Sequence, residues 1–223
     1  MDVAKNLTEI EANIKRACEK SNRSFEEIMI IGVTKYVTIE RAEETIDAGI
    51  ENLGENRNEG FLEKYEKIGN RANWHFIGTL QSRKVKDIIN KVDYLHSLDR
   101  VSLAKEINKR AEKPVKCFVQ VNVSGEESKH GLAKEAVISF VEEIKKFPNI
   151  QVVGLMTMAP HIDDKHEIRK VFRQLAELRD EVRTKNYSHA PCEYLSMGMS
   201  NDYSIAIEEG ATHIRIGSKL VGK

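Results

Sequence analysis

MIIGVTKYVTIERAEE, Met29 to Glu44, changes character at its centre. Residues 29–33 are a short apolar run rich in β-branched side chains, the composition of a strand covered on both faces. At Lys35 the run ends in a charge. From Thr38 onward the pattern is helical, with Thr38 placed as an N-cap and Gly49 as a C-cap. A strand, a lysine-bearing turn and a helix make one β/α unit.

The unit recurs along the 223 residues. Strand-like runs begin at Ile28, Ile50, Asn73, Asp93, Val115, Ile150, Glu193 and His213. Helical patterns lie between them, notably LDRVSLAKEINKRAEK, KEAVISFVEEIKKF and KHEIRKVFRQLAELRDEVRT, with apolar residues three and four apart. Eight strands with intervening helices predict an α/β fold: a single-domain (β/α)8 TIM barrel over residues 1–223, with an extra N-terminal helix. A doubly wound open sheet fits less well. It uses fewer strands for this length, and no G-x-G-x-x-G follows the first one.

Composition narrows the function. Lys plus Arg and Asp plus Glu both number 35, so the chain lacks the basic surplus of a general nucleic-acid binder. The N-terminus alternates charge with apolar residues and has no signal-peptide core. No run approaches the roughly twenty apolar residues of a membrane span. The three cysteines are odd in number and lack metal-ligand spacing. A cytoplasmic protein without metal, membrane or nucleic-acid partner is expected.

In such a barrel the chemistry sits at the C-terminal ends of the strands. Lys35 holds that position on the first strand, on the same side as Val33 and Ile31 by alternation. An inward amine loses hydration, which favours its neutral, nucleophilic form. The competing reading is a lysine that snorkels to water. Two small-residue turns, Gly198-Met199-Ser200 and Gly217-Ser218, follow the seventh and eighth strands, where this barrel usually holds a phosphate. Ser200-Asn201-Asp202 also reads as a cap for the helix that follows. Arg215, two residues before Gly217, faces the same way, and an inward guanidinium needs an acceptor. Aldehyde, phosphate and aromatic nitrogen together describe pyridoxal 5′-phosphate (PLP).

The segments GVTKYV, LGENRNE, WHFIGTLQSRKVK, VSGEESKHGL, GLMTMAP and LSMGMSNDYSIAIEEGATHIRIG together resemble the pyridoxal phosphate homeostasis protein family. The resemblance implies a barrel similar to the N-terminal domain of alanine racemase, with PLP bound through a lysine Schiff base and no catalytic activity. Carried over by motif, Lys35 is the Schiff-base lysine, Ser200, Gly217 and Ser218 hold the phosphate, and Arg215 meets the pyridine nitrogen. Asn56 is a partner for the cofactor's ring oxygen or for Lys35, or a plain turn residue. Met199 lines the mouth with Met156 and Met158. His75 reads as a core histidine behind the site, and Lys129 as a solvated loop lysine or a second amine. Departures from the family pattern are Tyr36-Val37 in place of a proline after the lysine, Arg83, Ser218 and the SKLVGK tail.

Three functions compete. A carrier would buffer PLP and deliver it to PLP-dependent apoenzymes. A small amino-acid racemase needs acid–base groups on both faces of the substrate carbon. In alanine racemase the second group comes from a C-terminal domain, and the chain's end just after strand eight predicts that domain's absence. An aldolase-like barrel places its lysine on a later strand with carboxylates nearby. The carrier reading leads.

Overall fold

The computed structural model describes residues 2–126 and 130–222. Its eight barrel strands are β1 (Met29–Val33), β2 (Asn52–Glu55), β3 (Asn73–Phe76), β4 (Tyr94–Leu98), β5 (Val115–Asn122), β6 (Ile150–Met156), β7 (Tyr194–Met199) and β8 (His213–Ile216). They pair in parallel in chain order, and β8 closes on β1. The (β/α)8 barrel expected from the eight apolar runs is the fold observed. A two-residue strand, Leu132–Ala133, adds to β5 outside the ring.

Helices cover the outside, and those after β1 and β6 begin on side-chain caps, the first of which, Thr38, is the one expected. Thr38 accepts from the Arg41 amide and Asp164 from those of His166 and Glu167. The helix after β8 is only Ser218–Val221, too short to shield the seam between β8 and β1. The N-terminal helix Val3–Lys20 completes that layer. Leu7, Ile10, Ile14 and Ala17 recur at three- and four-residue spacing and are buried, while Asn6 Nδ2 donates to the Leu220 carbonyl at 2.9 Å. Each large aliphatic side chain so buried contributes about 1.5–3 kcal/mol of transfer free energy. Among the described residues no helix is long and apolar enough to cross a membrane.

The two faces of each strand differ. Leu53, Trp74, Phe76, Leu95, Leu195 and Ile214 belong to the apolar core that the helices cover. The alternate positions face the barrel axis and are polar to an unusual degree: His75, His96, Ser196, His213 and Arg215 are all buried. Barrel interiors are ordinarily filled by branched aliphatics, so polar groups there must satisfy one another.

Candidate functional site

β1 presents Lys35 through a rigid strand end. The buried Thr34 hydroxyl donates to Glu55 Oε1 at 2.7 Å, and Lys64 Nζ lies 3.0 Å from the same oxygen. Register pairs Ile31 with Arg215, so Ile31, Val33 and Lys35 share the face of Arg215. The chain then turns at Tyr36, whose φ of 68° is left-handed.

A cavity of about 490 Å³ opens at this end of the barrel. Lys35, Asn56, Met199, Ser200, Arg215, Gly217 and Ser218 all line it. The structure therefore brings together every cofactor residue expected from the sequence. Lys129 lies outside the described residues.

For Lys35 the structure favours the competing, solvent-facing reading over the desolvated one. Its side chain is exposed at the mouth rather than stripped of water, and its ammonium stands 5.5 Å from the centre of the Tyr36 ring. The cause is the turn at Thr34–Tyr36, which lifts the lysine one step beyond the strand. Arg57 lies 5.5 Å from the same ring, and Asn56 Nδ2 is 3.5 Å from the Tyr36 hydroxyl. These neighbours hold the phenol below its usual pKa, the Asn56 contact foremost and the two cations adding to it.

The two turns after β7 and β8 meet. The Gly217 amide donates to Ser200 Oγ at 3.3 Å. Gly198 has a φ of 93°, and a Cβ there would sit 2.6 Å from that of Ala206, so only glycine fits this approach. The expected Ser200-Asn201-Asp202 cap is corrected: Asp202 is the N-cap residue but makes no side-chain capping bond. Its carboxylate accepts from the Met199 amide instead, at 2.6 Å, and closes the turn itself. Burial raises the Asp202 pKa.

Arg215 is 4% exposed. Nη1 donates to Ser196 Oγ, and Nη2 donates to the Thr157 carbonyl at 2.9 Å. Burial lowers its pKa to about 10, which leaves it charged at neutral pH. A guanidinium has five N–H groups, so three remain after these bonds.

His75 is a core histidine, hydrogen-bonded to His96 at 2.9 Å and to Asn52 at 3.1 Å. Sequence reasoning misses His96, Ser196 and Thr157, which the structure places around Arg215 and behind it. The signal for the first two was present: alternation in DYLHSLD and EYLSMGMS turns them toward the axis.

This donor set fits PLP. A primary amine, a guanidinium with free N–H groups and two serine hydroxyls at adjoining turns answer an aldehyde, a ring nitrogen and a phosphate. The cavity volume also falls in the range of small-molecule sites.

The model for "Alanine racemase, N-terminal domain" matches residues 6–223. A pyridoxal phosphate homeostasis protein of Aquifex aeolicus is 41% identical over 227 residues, covering 100% of this chain and 99% of the relative. The chain belongs to the pyridoxal phosphate homeostasis protein family. The member from Escherichia coli K12 is 32% identical over 229 residues, covering 99% of this chain and 96% of its own. These relatives are named as homeostasis proteins. Among solved structures, PipY of Synechococcus elongatus with PLP bound superposes with a TM-score of 0.84 at 26% identity, covering 99% of this chain and 100% of PipY.

Proposed function

We propose that this protein binds PLP through Lys35, buffers it and hands it to PLP-dependent apoenzymes. The observation that carries the reading is the convergence of three strand ends on one cavity: Lys35 from β1, Ser200 after β7, and Arg215 with Gly217 and Ser218 from β8. The relatives named for PLP homeostasis and the PLP-bound PipY support it.

When bound, PLP supplies an aldehyde that a lysine amine can capture reversibly. Lys35 provides that amine at the mouth, where exchange with solvent is open. Ser200 and Ser218 would supply hydroxyls to the phosphate, and the Ser200–Gly217 bond holds their turns in register. Asn56 stands beside Lys35 for the ring oxygen. Arg215 would donate to the ring nitrogen and, staying protonated itself, would leave that nitrogen unprotonated, which makes the ring a weak electron sink.

We read the protein as a carrier rather than a racemase. Racemisation needs proton donors on both faces of the substrate carbon. Among the described residues the cavity wall holds no tyrosine; Tyr36 stands at the rim. Delivery to an apoenzyme is supported by the apolar rim. Of the five exposed large apolar side chains among the described residues, Tyr36, Met158, Ile162 and Met199 border this mouth or the hollows beside it. Met-rich exposed surfaces are typical of adaptable binding faces. The three cysteines are free and buried, which suits a reducing cytoplasm.

The test is an absorbance spectrum of the protein incubated with PLP, followed by borohydride reduction and peptide mapping. A visible band and a modified Lys35 are expected, with loss of both in Lys35→Ala. A colourless wild-type protein refutes the reading.

A further inference from the structure

Behind Arg215 a hydrogen-bonded chain crosses the whole interior of the barrel. It runs from Arg215 on β8 to Ser196 on β7, then across the axis to His96 on β4 at 2.8 Å. From there it passes to His75 on β3 at 2.9 Å and ends at Asn52 on β2 at 3.1 Å. Both imidazoles are held flat by stacking, His96 on Phe118 at 4.4 Å and His75 on Tyr94 at 4.6 Å.

The direction of this chain follows from the chemistry of its ends. Arg215 can only donate. Ser196 Oγ therefore accepts from it and gives its own proton to His96 Nδ1. His96 then carries its hydrogen on Nε2 and donates to His75 Nδ1. His75 in turn donates from Nε2 to the Asn52 Oδ1. Every donor finds an acceptor, and both rings are neutral. Reversing the two histidines would leave the Ser196 proton without an acceptor in a buried site, which is unfavourable. Burial, the largest influence on both rings, favours the same neutral forms.

Resting on the PLP reading above, we propose that His96 and His75 are positioning residues for Arg215. They fix Ser196 Oγ as an acceptor, which locks the guanidinium in the orientation that turns its remaining N–H groups to the pyridine nitrogen. Neither histidine lines the cavity, so both act through Ser196. Their effect would fall on the electronics of the bound ring, because the donor at its nitrogen tunes those electronics.

Ser196→Ala, His96→Leu and His96→Asn test this, each compared with wild type for PLP affinity, for the pH at which the visible band titrates and for melting temperature without PLP. An asparagine Oδ1 stands where His96 Nδ1 does and accepts the Ser196 proton. Ser196→Ala and His96→Leu are expected to bind PLP roughly ten-fold more weakly and to move the titration of the band. His96→Asn is expected to keep both near wild type even if it melts earlier. Wild-type affinity and titration in Ser196→Ala and His96→Leu overturn the proposal, as does a loss in His96→Asn equal to that in His96→Leu. If His96→Leu does not fold, Ser196→Ala, which deletes one hydroxyl, decides. A wild-type protein with no visible band removes the PLP reading itself, and this proposal with it, whereas a coloured wild type with unaltered variants removes only the proposal.

Discussion

The Thr34 hydroxyl and the Glu55 carboxylate, 21 residues apart in sequence, form a 2.7 Å hydrogen bond beneath the lysine-bearing turn. Lys64 completes the group from the helix Asn58–Ile68, and both charged side chains are almost fully buried. A buried ion pair gives little net stability over an apolar replacement, yet removing one partner strands the other charge. Lys64→Met is therefore expected to lower unfolding free energy by about 3–5 kcal/mol. Replacing both Lys64 and Glu55 by apolar residues should recover part of the loss. Urea denaturation of the two single variants and the double variant measures this. If the group also fixes Lys35, PLP affinity falls in the single variants while they remain folded.

The link between Ser200 and Gly217 makes a prediction specific to the phosphate. Ser200→Ala removes a hydroxyl from the anion site and the acceptor for the Gly217 amide. Loss of a hydrogen bond to a charged group corresponds to about 1.5–3 kcal/mol. PLP binding should weaken roughly ten-fold or more, whereas pyridoxal, which lacks the phosphate, should bind wild type and variant alike. Titration of the visible band with each ligand makes the comparison. Equal weakening toward both ligands would place the effect elsewhere.

Tyr36 is a bulky side chain in left-handed backbone, at a φ of 68°, a conformation that favours glycine or asparagine. Its ring is 71% exposed, so little packing offsets the strain. Tyr36→Asn is expected to raise the melting temperature by about 2–4 °C. Removing the ring also frees Lys35 and Asn56 from their contacts with it. PLP capture should then be faster in stopped-flow absorbance. An unchanged rate would mean that the ring does not restrain the amine.

The fold was legible because its signal is local. Each β/α unit carries its own apolar run, and some add a cap, as in Ile30–Gly32 followed by Thr38, so eight strands were countable without knowing their order. The site was legible where position alone decides chemistry: Lys35, Ser200 and Gly217 each follow a strand end. The exposure of Lys35 was legible only as the competing, snorkelling reading, since it depends on one residue, Tyr36, adopting an uncommon φ. The role of Asp202 was not legible, because its carboxylate chose the Met199 amide over a helix cap. Least visible was the polar interior. His96 and Ser196 are 100 residues apart, and within their apolar runs nothing marks them as partners until the barrel closes.

That interior predicts an acid limit to stability. His213 is buried beside Arg215, His75 and His96; its Nδ1 meets the Thr212 hydroxyl at 2.8 Å, and no protein group bonds Nε2 among the described residues. Burial, aided by the Arg215 charge, lowers its pKa from 6.5 to about 4. Below pH 6.5 the unfolded chain takes up a proton at this histidine that the folded chain refuses. Stability is thus fully present above pH 6.5 and declines as pH falls toward 4. A shift of this size corresponds to about 3 kcal/mol from His213 alone, and His75 and His96, lowered by the same burial, steepen the decline. Urea midpoints measured between pH 7.5 and pH 4.5 should fall steadily below about pH 6.5, and His213→Phe should flatten the curve relative to its own value at neutral pH. A midpoint independent of pH across that range would mean that the folded barrel accepts a proton at these rings as readily as the unfolded chain does.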